Sequence, residues 1–142
     1  MAIFQSDVAK GKQATGYPAY AGHVVVQVVN VSVPATLATG DIVEVAVLPA
    51  LTRLVDLVVA SDDVGFQGHI GLMDGDVGST DSSRDCGADY FANAALKDVK
   101  RLNTVAAFRV GSADHDRSIG IKVNGGTAAA GTITLILTYA TA

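Results

Sequence analysis

Residues 117–139 read Arg-Ser-Ile-Gly-Ile-Lys-Val-Asn-Gly-Gly-Thr-Ala-Ala-Ala-Gly-Thr-Ile-Thr-Leu-Ile-Leu-Thr-Tyr. Ile119, Ile121 and Val123 alternate with Ser118, Gly120 and Lys122. Further on, Ile133, Leu135, Leu137 and Tyr139 alternate with Thr132, Thr134 and Thr138. A period of two places the members of each set on opposite sides of an extended chain, so both runs are half-buried β-strands. Asn124-Gly125-Gly126 between them reads as a turn, because Asn and Gly tolerate positive φ.

Working upstream, the same signal recurs. His23 to Val33 is dominated by β-branched residues, which suit a pleated surface, and Pro34 ends it. Gly40-Asp41 opens Ile42 to Leu48, where Val43, Val45 and Val47 share one face and Ile42, Glu44 and Ala46 the other. Arg53 to Ala60 follows after a short break, with Val55, Leu57 and Val59 set on one face and Asp56 on the other. Gln67 to Met73 and Thr104 to Val110 complete the strands. The stretch from Ala88 to Val99 has helical spacing at Tyr90, Ala94 and Lys97 and at Phe91, Ala95 and Val99, and reads as one short helix. Many short strands at regular spacing predict an all-β fold, a jelly-roll-like antiparallel β-sandwich, with an immunoglobulin-like order as the other topology. Residues 1–22 show no period and read as an extended N-terminal arm, so the domain proper is expected over 23–142. The arm's aromatic residues, Phe4, Tyr17 and Tyr20, are costly to leave in water and are its candidate anchors, either on its own domain or on a neighbouring subunit.

The chain of 142 residues suits one domain, and a chain of this size buries roughly 68–70% of its unfolded surface. Charged residues are 17%, against roughly 25% in an average soluble domain. Either much surface is covered by other subunits, or Thr and Ser do the work of charge outside a Val- and Ala-rich core. Lys+Arg is 10 against Asp+Glu 14, which argues against a nucleic-acid partner. No apolar run approaches the length of a membrane span, and Met1 to Gly22 lacks a signal peptide's apolar core, so no membrane partner and cytoplasmic synthesis are expected.

The search for chemistry returns little. Asp74, Asp76, Asp81, Asp85 and Asp89 with Arg84 form a Gly- and Ser-rich loop whose net charge of −4 equals that of the whole chain. Its spacing lacks the third ligand and distal Glu of a calcium loop, so it reads as a solvated loop. His23, His69 and His115 have no metal-ligand spacing. Cys86, the single cysteine, has carboxylates beside it that disfavour a thiolate. No nucleophile elbow or phosphate loop occurs, so the reading is non-enzymatic and without a cofactor. Lys97, Lys100 and Arg101 form a small basic cluster, suited to a helix end or to ion pairs between subunits.

Four stretches carry a resemblance: Gly40-Asp-Ile-Val-Glu-Val-Ala-Val-Leu-Pro49, Thr52-Arg-Leu-Val-Asp-Leu-Val-Val59, Ile70-Gly-Leu-Met-Asp-Gly75 and Ala130-Gly-Thr-Ile-Thr-Leu-Ile-Leu-Thr-Tyr139. In style, residues 22 to 140 resemble the small capsid decoration or cement proteins of tailed bacteriophages. The resemblance implies a β-sandwich on the outer surface of a virion capsid, with the major capsid protein as partner, a homo-oligomeric state (dimer or trimer) and no catalytic residues. Two other functions fit the same pattern: a carbohydrate-binding jelly roll for host attachment, and a phage head-completion or tail subunit.

Overall fold

The computed structural model describes residues 1–12 and 23–141. Nine strands run in chain order: β1 (Ile3–Gln5), β2 (Val24–Val33), β3 (Ile42–Leu48), β4 (Thr52–Ser61), β5 (Phe66–Met73), β6 (Phe91–Ala95), β7 (Val99–Arg101), β8 (Arg117–Gly126) and β9 (Gly131–Thr141). One helical turn, α1 (Val105–Phe108), precedes β8.

The strands form two sheets, in the orders β1-β3-β8-β5-β6 and β2-β9-β4-β7. Chain neighbours β2 and β3, β4 and β5, β6 and β7, and β8 and β9 lie in opposite sheets. The hydrogen-bonded partners β2·β9, β3·β8, β4·β7 and β5·β6 are nested like one long folded hairpin, all antiparallel. This is the eight-strand, double-sheet jelly roll, and it settles the topology against the immunoglobulin-like order. β1 is added parallel to β3, with Phe4 opposite Val43.

The core lies between the sheets. Val29, Val31 and Val33 of β2, Leu54, Leu57 and Val59 of β4, and Ile133, Leu135, Leu137 and Tyr139 of β9 meet Phe66, Ile70, Ile119, Ile121 and Val123 from the other sheet. The alternation read from 117–123 and 131–139 therefore points inward as expected.

Four local readings are corrected. The helix expected over 88–99 is instead β6, the turn after it and β7: pairing of β6 with β5 overrides the accidental helical spacing. The strand expected over 104–110 is a helical turn, because Thr104 caps it, its Oγ1 accepting from Ala107 N at 3.2 Å. The Asn124-Gly125-Gly126 turn is the end of β8. Gln67 pairs with Gly125 and Gly68 with Val123, leaving Asn124 as a bulge, and the positive φ that the motif supplies is used at Gly126. Val55 does not join Leu57 and Val59 in the core. A bulge between Leu54 and Asp56 turns it outward and puts Leu54 in its place.

Candidate interaction surfaces

The outer face of the five-stranded sheet is covered by its own chain. Its central row is Glu44, Gly120 and Gly71, paired across β3, β8 and β5. The segment between β5 and β6 folds back over this row. A methyl group on Gly71 would overlap Gly87 O, and one on Gly120 would stand 2.7 Å from Met73 Sδ and 3.2 Å from Cys86 Sγ. Only glycine leaves room for a second layer this close. Beneath the segment, Ile42, Met73 and Cys86 form a small second core with Ile3 against it.

A buried ion pair fastens this cover. Arg84 Nη2 lies 2.9 Å from Glu44 Oε2, and both side chains are almost wholly excluded from solvent. Arg84 also donates from Nε to Asp74 O at 2.8 Å and from Nη1 to Ser79 O at 2.7 Å. Glu44 accepts further from Ser118 Oγ, from Gln5 Nε2 at 2.6 Å and from Gly78 N at 3.2 Å. Burial alone pushes the Glu44 carboxyl up, but the hydrogen bonds from Arg84, Ser118, Gln5 and Gly78 outweigh it and hold the carboxyl below its ordinary value. Every one of these bonds joins two parts of the same chain. The arrangement is a clamp.

The acidic loop is this same cover. Asp74 Oδ1 accepts from Asp85 N at 2.5 Å, Asp81 Oδ1 from Ser83 N at 2.9 Å and Asp89 Oδ2 from Leu72 N at 2.9 Å. Asp85 Oδ1 accepts from Cys86 N at 2.9 Å and from Lys122 Nζ at 2.8 Å. These carboxylates are used to shape the loop and tie it to β8. Cys86 is buried under it, and desolvation pushes its thiol up to about 12, which makes it a packing residue. His69 Nδ1 accepts from Asn93 N at 3.0 Å, while His115 Nδ1 sits 2.9 Å from Asp114 on an exposed loop. Among the described residues no group of three His, Cys, Asp or Glu side chains is placed to hold a metal ion.

The outer face of the four-stranded sheet is different. Val24, Val26 and Val28 are 55%, 62% and 48% exposed. Register places them opposite Ala140, Thr138 and Ile136 of β9, with Asn30 opposite Thr134 and Ser32 opposite Thr132. Thr134 Oγ1 donates to Asn30 Oδ1 at 2.6 Å. None of the ten residues of β2 or the eleven of β9 is charged. Charge begins only at β4 and β7, where Arg101 pairs with Asp56 and Arg53 Nη2 donates to Phe108 O at 2.8 Å. A further pair of exposed apolar side chains, Leu51 and Phe108, sits where the β3–β4 turn meets the segment before β8.

Of the candidate anchors, Phe4 lies in β1, half-buried against the domain's own core. Its strand is held at both ends, by Ala2 N on Asp41 Oδ1 at 3.0 Å and by Gln5 on Glu44. Tyr17 and Tyr20 lie outside the described residues. Lys97, Lys100 and Arg101 follow β6 and do not end a helix; Arg101 is spent on Asp56. Sequence reasoning missed Glu44 and Arg84. Their signal was present: a single carboxylate inside an apolar strand, and a single cation inside an acidic loop.

A chain from the capsid of Ralstonia phage GP4 has the same structure at a TM-score of 0.92, with 35% sequence identity over 99% of each chain. This chain belongs to the family of that capsid protein. A chain of the cyanophage Pam1 capsid asymmetric unit shares the fold at a TM-score of 0.61 and 19% identity, covering 93% of this chain and 96% of that one. No family model and no curated protein matches. The phage-capsid kinship bears out the virion side of the resemblance: the chain is of the kind of virion structural protein found in a phage capsid.

Proposed function

We propose that this capsid-family protein decorates the outer surface of a phage shell and cements neighbouring major capsid subunits. The observation that carries the reading is the match, along nearly the whole chain, to a chain of a phage capsid. The described structure supports it physically. The domain is closely packed, one pair of its charges is buried internally, and it exposes an uncharged strip with a row of valines on one side. A subunit repeated around a shell gains from avidity, so modest contacts per copy suffice to hold the lattice. The N-terminal arm belongs to this reading as a bridge between subunits, with Phe4 fixing its first residues on β3 and Tyr17 and Tyr20 as the residues that contact the shell. Buried aromatics dominate most interfaces, which is why these side chains are assigned the role. The protein acts as a homo-oligomer on the shell.

The test is co-sedimentation of the full chain with shells stripped of it. Saturable binding that raises the melting temperature of the shells is the expected result, since a ligand that binds only the assembled state stabilises it. Shells that melt unchanged at saturation, or that bind nothing, overturn the cement role.

A further inference from the structure

We infer that residues 1–10 and the loop between β5 and β6 open and close as one unit, with the Glu44 carboxylate as the catch they share. What holds the N-terminal end in place also orders the loop, and what draws it away releases both. The inference concerns the free molecule and stands apart from the capsid-decoration reading.

The N-terminal strand is too slight to hold itself. β1 has three residues, lies at the edge of its sheet and runs parallel to β3. Terminal segments fray unless tied down, and parallel pairing is the weaker kind. Its side chains therefore decide its place, and alternation splits them between two layers. Phe4 packs against the core between the sheets. Ile3 and Gln5 belong to the other layer. Ile3 packs on the second core of Ile42, Met73 and Cys86, and Gln5 Nε2 donates to Glu44 Oε1 at 2.6 Å.

The chain beyond β1 returns to the same place. Ser6 N donates to Glu44 O at 2.8 Å. Ser6 Oγ donates to Val45 O and accepts from Ala9 N at 3.2 Å. Lys10 N closes the turn on Ser6 O at 3.0 Å, and Val8 and Ala9 are buried in it. A methyl group on Gly78 would stand 3.4 Å from Ala9 O, while Gly78 N donates to Glu44 Oε2 at 3.2 Å. The loop thus meets the N-terminal turn and the catch at one residue.

Glu44 divides its two oxygens between the segments. Oε1 takes Gln5, and Oε2 takes Arg84, Gly78 and Ser118 of β8. The coupling follows from burial. The bonds of a carboxylate are strong while water is excluded and weaken once it is hydrated. Lifting β1 uncovers Oε1 and lets water compete with Arg84; lifting the loop removes the cation and bares Ile3 and Gln5. Linkage makes the effect equal in both directions.

The experiment is hydrogen exchange on the full-length protein, read amide by amide. Ser6 and Lys10 report the N-terminal segment. Asp74, Arg84 and Gly87, whose amides bond to Asp85 O, Asp81 O and Leu72 O, report the loop. Leu102, bonded to Leu57 O in the other sheet, is the control. Gln5→Ala cuts the bond to Oε1, and Ser6→Ala cuts the tie to Val45 while leaving the bonds of the Glu44 carboxylate in place. Each should speed exchange of the loop amides about tenfold, by the same factor as the segment amides, with Leu102 unchanged. Arg84→Met should speed Ser6 and Lys10 in return; if it does not fold, as circular dichroism will show, the other two variants decide. Segment amides that quicken while loop amides keep the wild-type rate overturn the inference. A Gln5→Ala variant unchanged at both overturns it too, by taking the catch away from Glu44. An equal rise at Leu102 does the same, by making the whole domain the unit.

Discussion

On the outside of the β1-β3-β8-β5-β6 sheet the chain supplies its own cover; on the outside of the β2-β9-β4-β7 sheet the described chain supplies none. The covered face has been made suitable for a second layer by removing side chains. Gly71 and Gly120 sit opposite each other at its centre, and a buried ion pair holds the loop down. The bare face keeps its side chains: valines, threonines, Ile136 and Ala140, with Asn30 and Ser32 toward one end. One face spends charged groups on internal order, and the other carries none. The difference teaches that the few charges of this composition are unevenly spread: one outer face carries none along two strands, and the other places a buried pair at its centre.

The comparison breaks most visibly at Arg84. Arg84→Met leaves Glu44 buried without its cation and frees the loop, and a loss of about 3–5 kcal/mol is expected in urea unfolding. If the loss is under about 1 kcal/mol, the clamp is ornamental and the loop is held by its apolar contacts. Gly71→Val tests the other half of the cover. Its side chain meets the Gly87 carbonyl, so the loop must lift, at a cost of about 1–3 kcal/mol and with faster proteolysis between residues 74 and 89. Unchanged cleavage would show that the loop does not need the glycine row.

Acid sharpens the contrast. The Glu44 carboxyl is held below its ordinary value in the folded state, so the unfolded chain binds its proton more readily. The stability it contributes is complete above the unfolded value near 4.5 and drains away as pH falls through the lowered folded one. Urea midpoints measured from neutral pH down through this range should fall in the wild type and fall less in Glu44→Gln. The smallest effect is expected on the bare face. Val26→Asp removes no core contact, and its urea midpoint should correspond to a loss of about 1 kcal/mol or less. A large loss there would mean that the strip is structural.

The alternation in 117–123 and 131–139 was enough to read the sandwich, because those strands have one face in the core and their period is undisturbed. The places where reading failed are the places where the chain departs from strict period. The bulge at Val55 swaps the facing of Leu54 and Val55 with no Asn or Gly to mark it, and the bulge at Asn124 uses the same Asn and Gly residues that a turn would. β6 is an edge strand with a positive φ at Asn93, so its pairing with β5 decides a conformation that its own residues leave open. The Glu44–Arg84 clamp joins residues far apart in sequence through a loop whose path only the glycine row permits. The bare face was legible as composition, in the uncharged strands, but its location needed the sheet order.

The nested order of strands also sets a sequence of events. β5 and β6 are neighbours along the chain, whereas β2 finds β9 only when residues as distant as Val24 and Ala140 are brought side by side. Closing long loops is entropically costly, and contacts across them form late. The uncharged strip is built from that outermost pair, so it does not exist as a surface until the rest of the roll is in place. An incomplete molecule therefore lacks this face altogether.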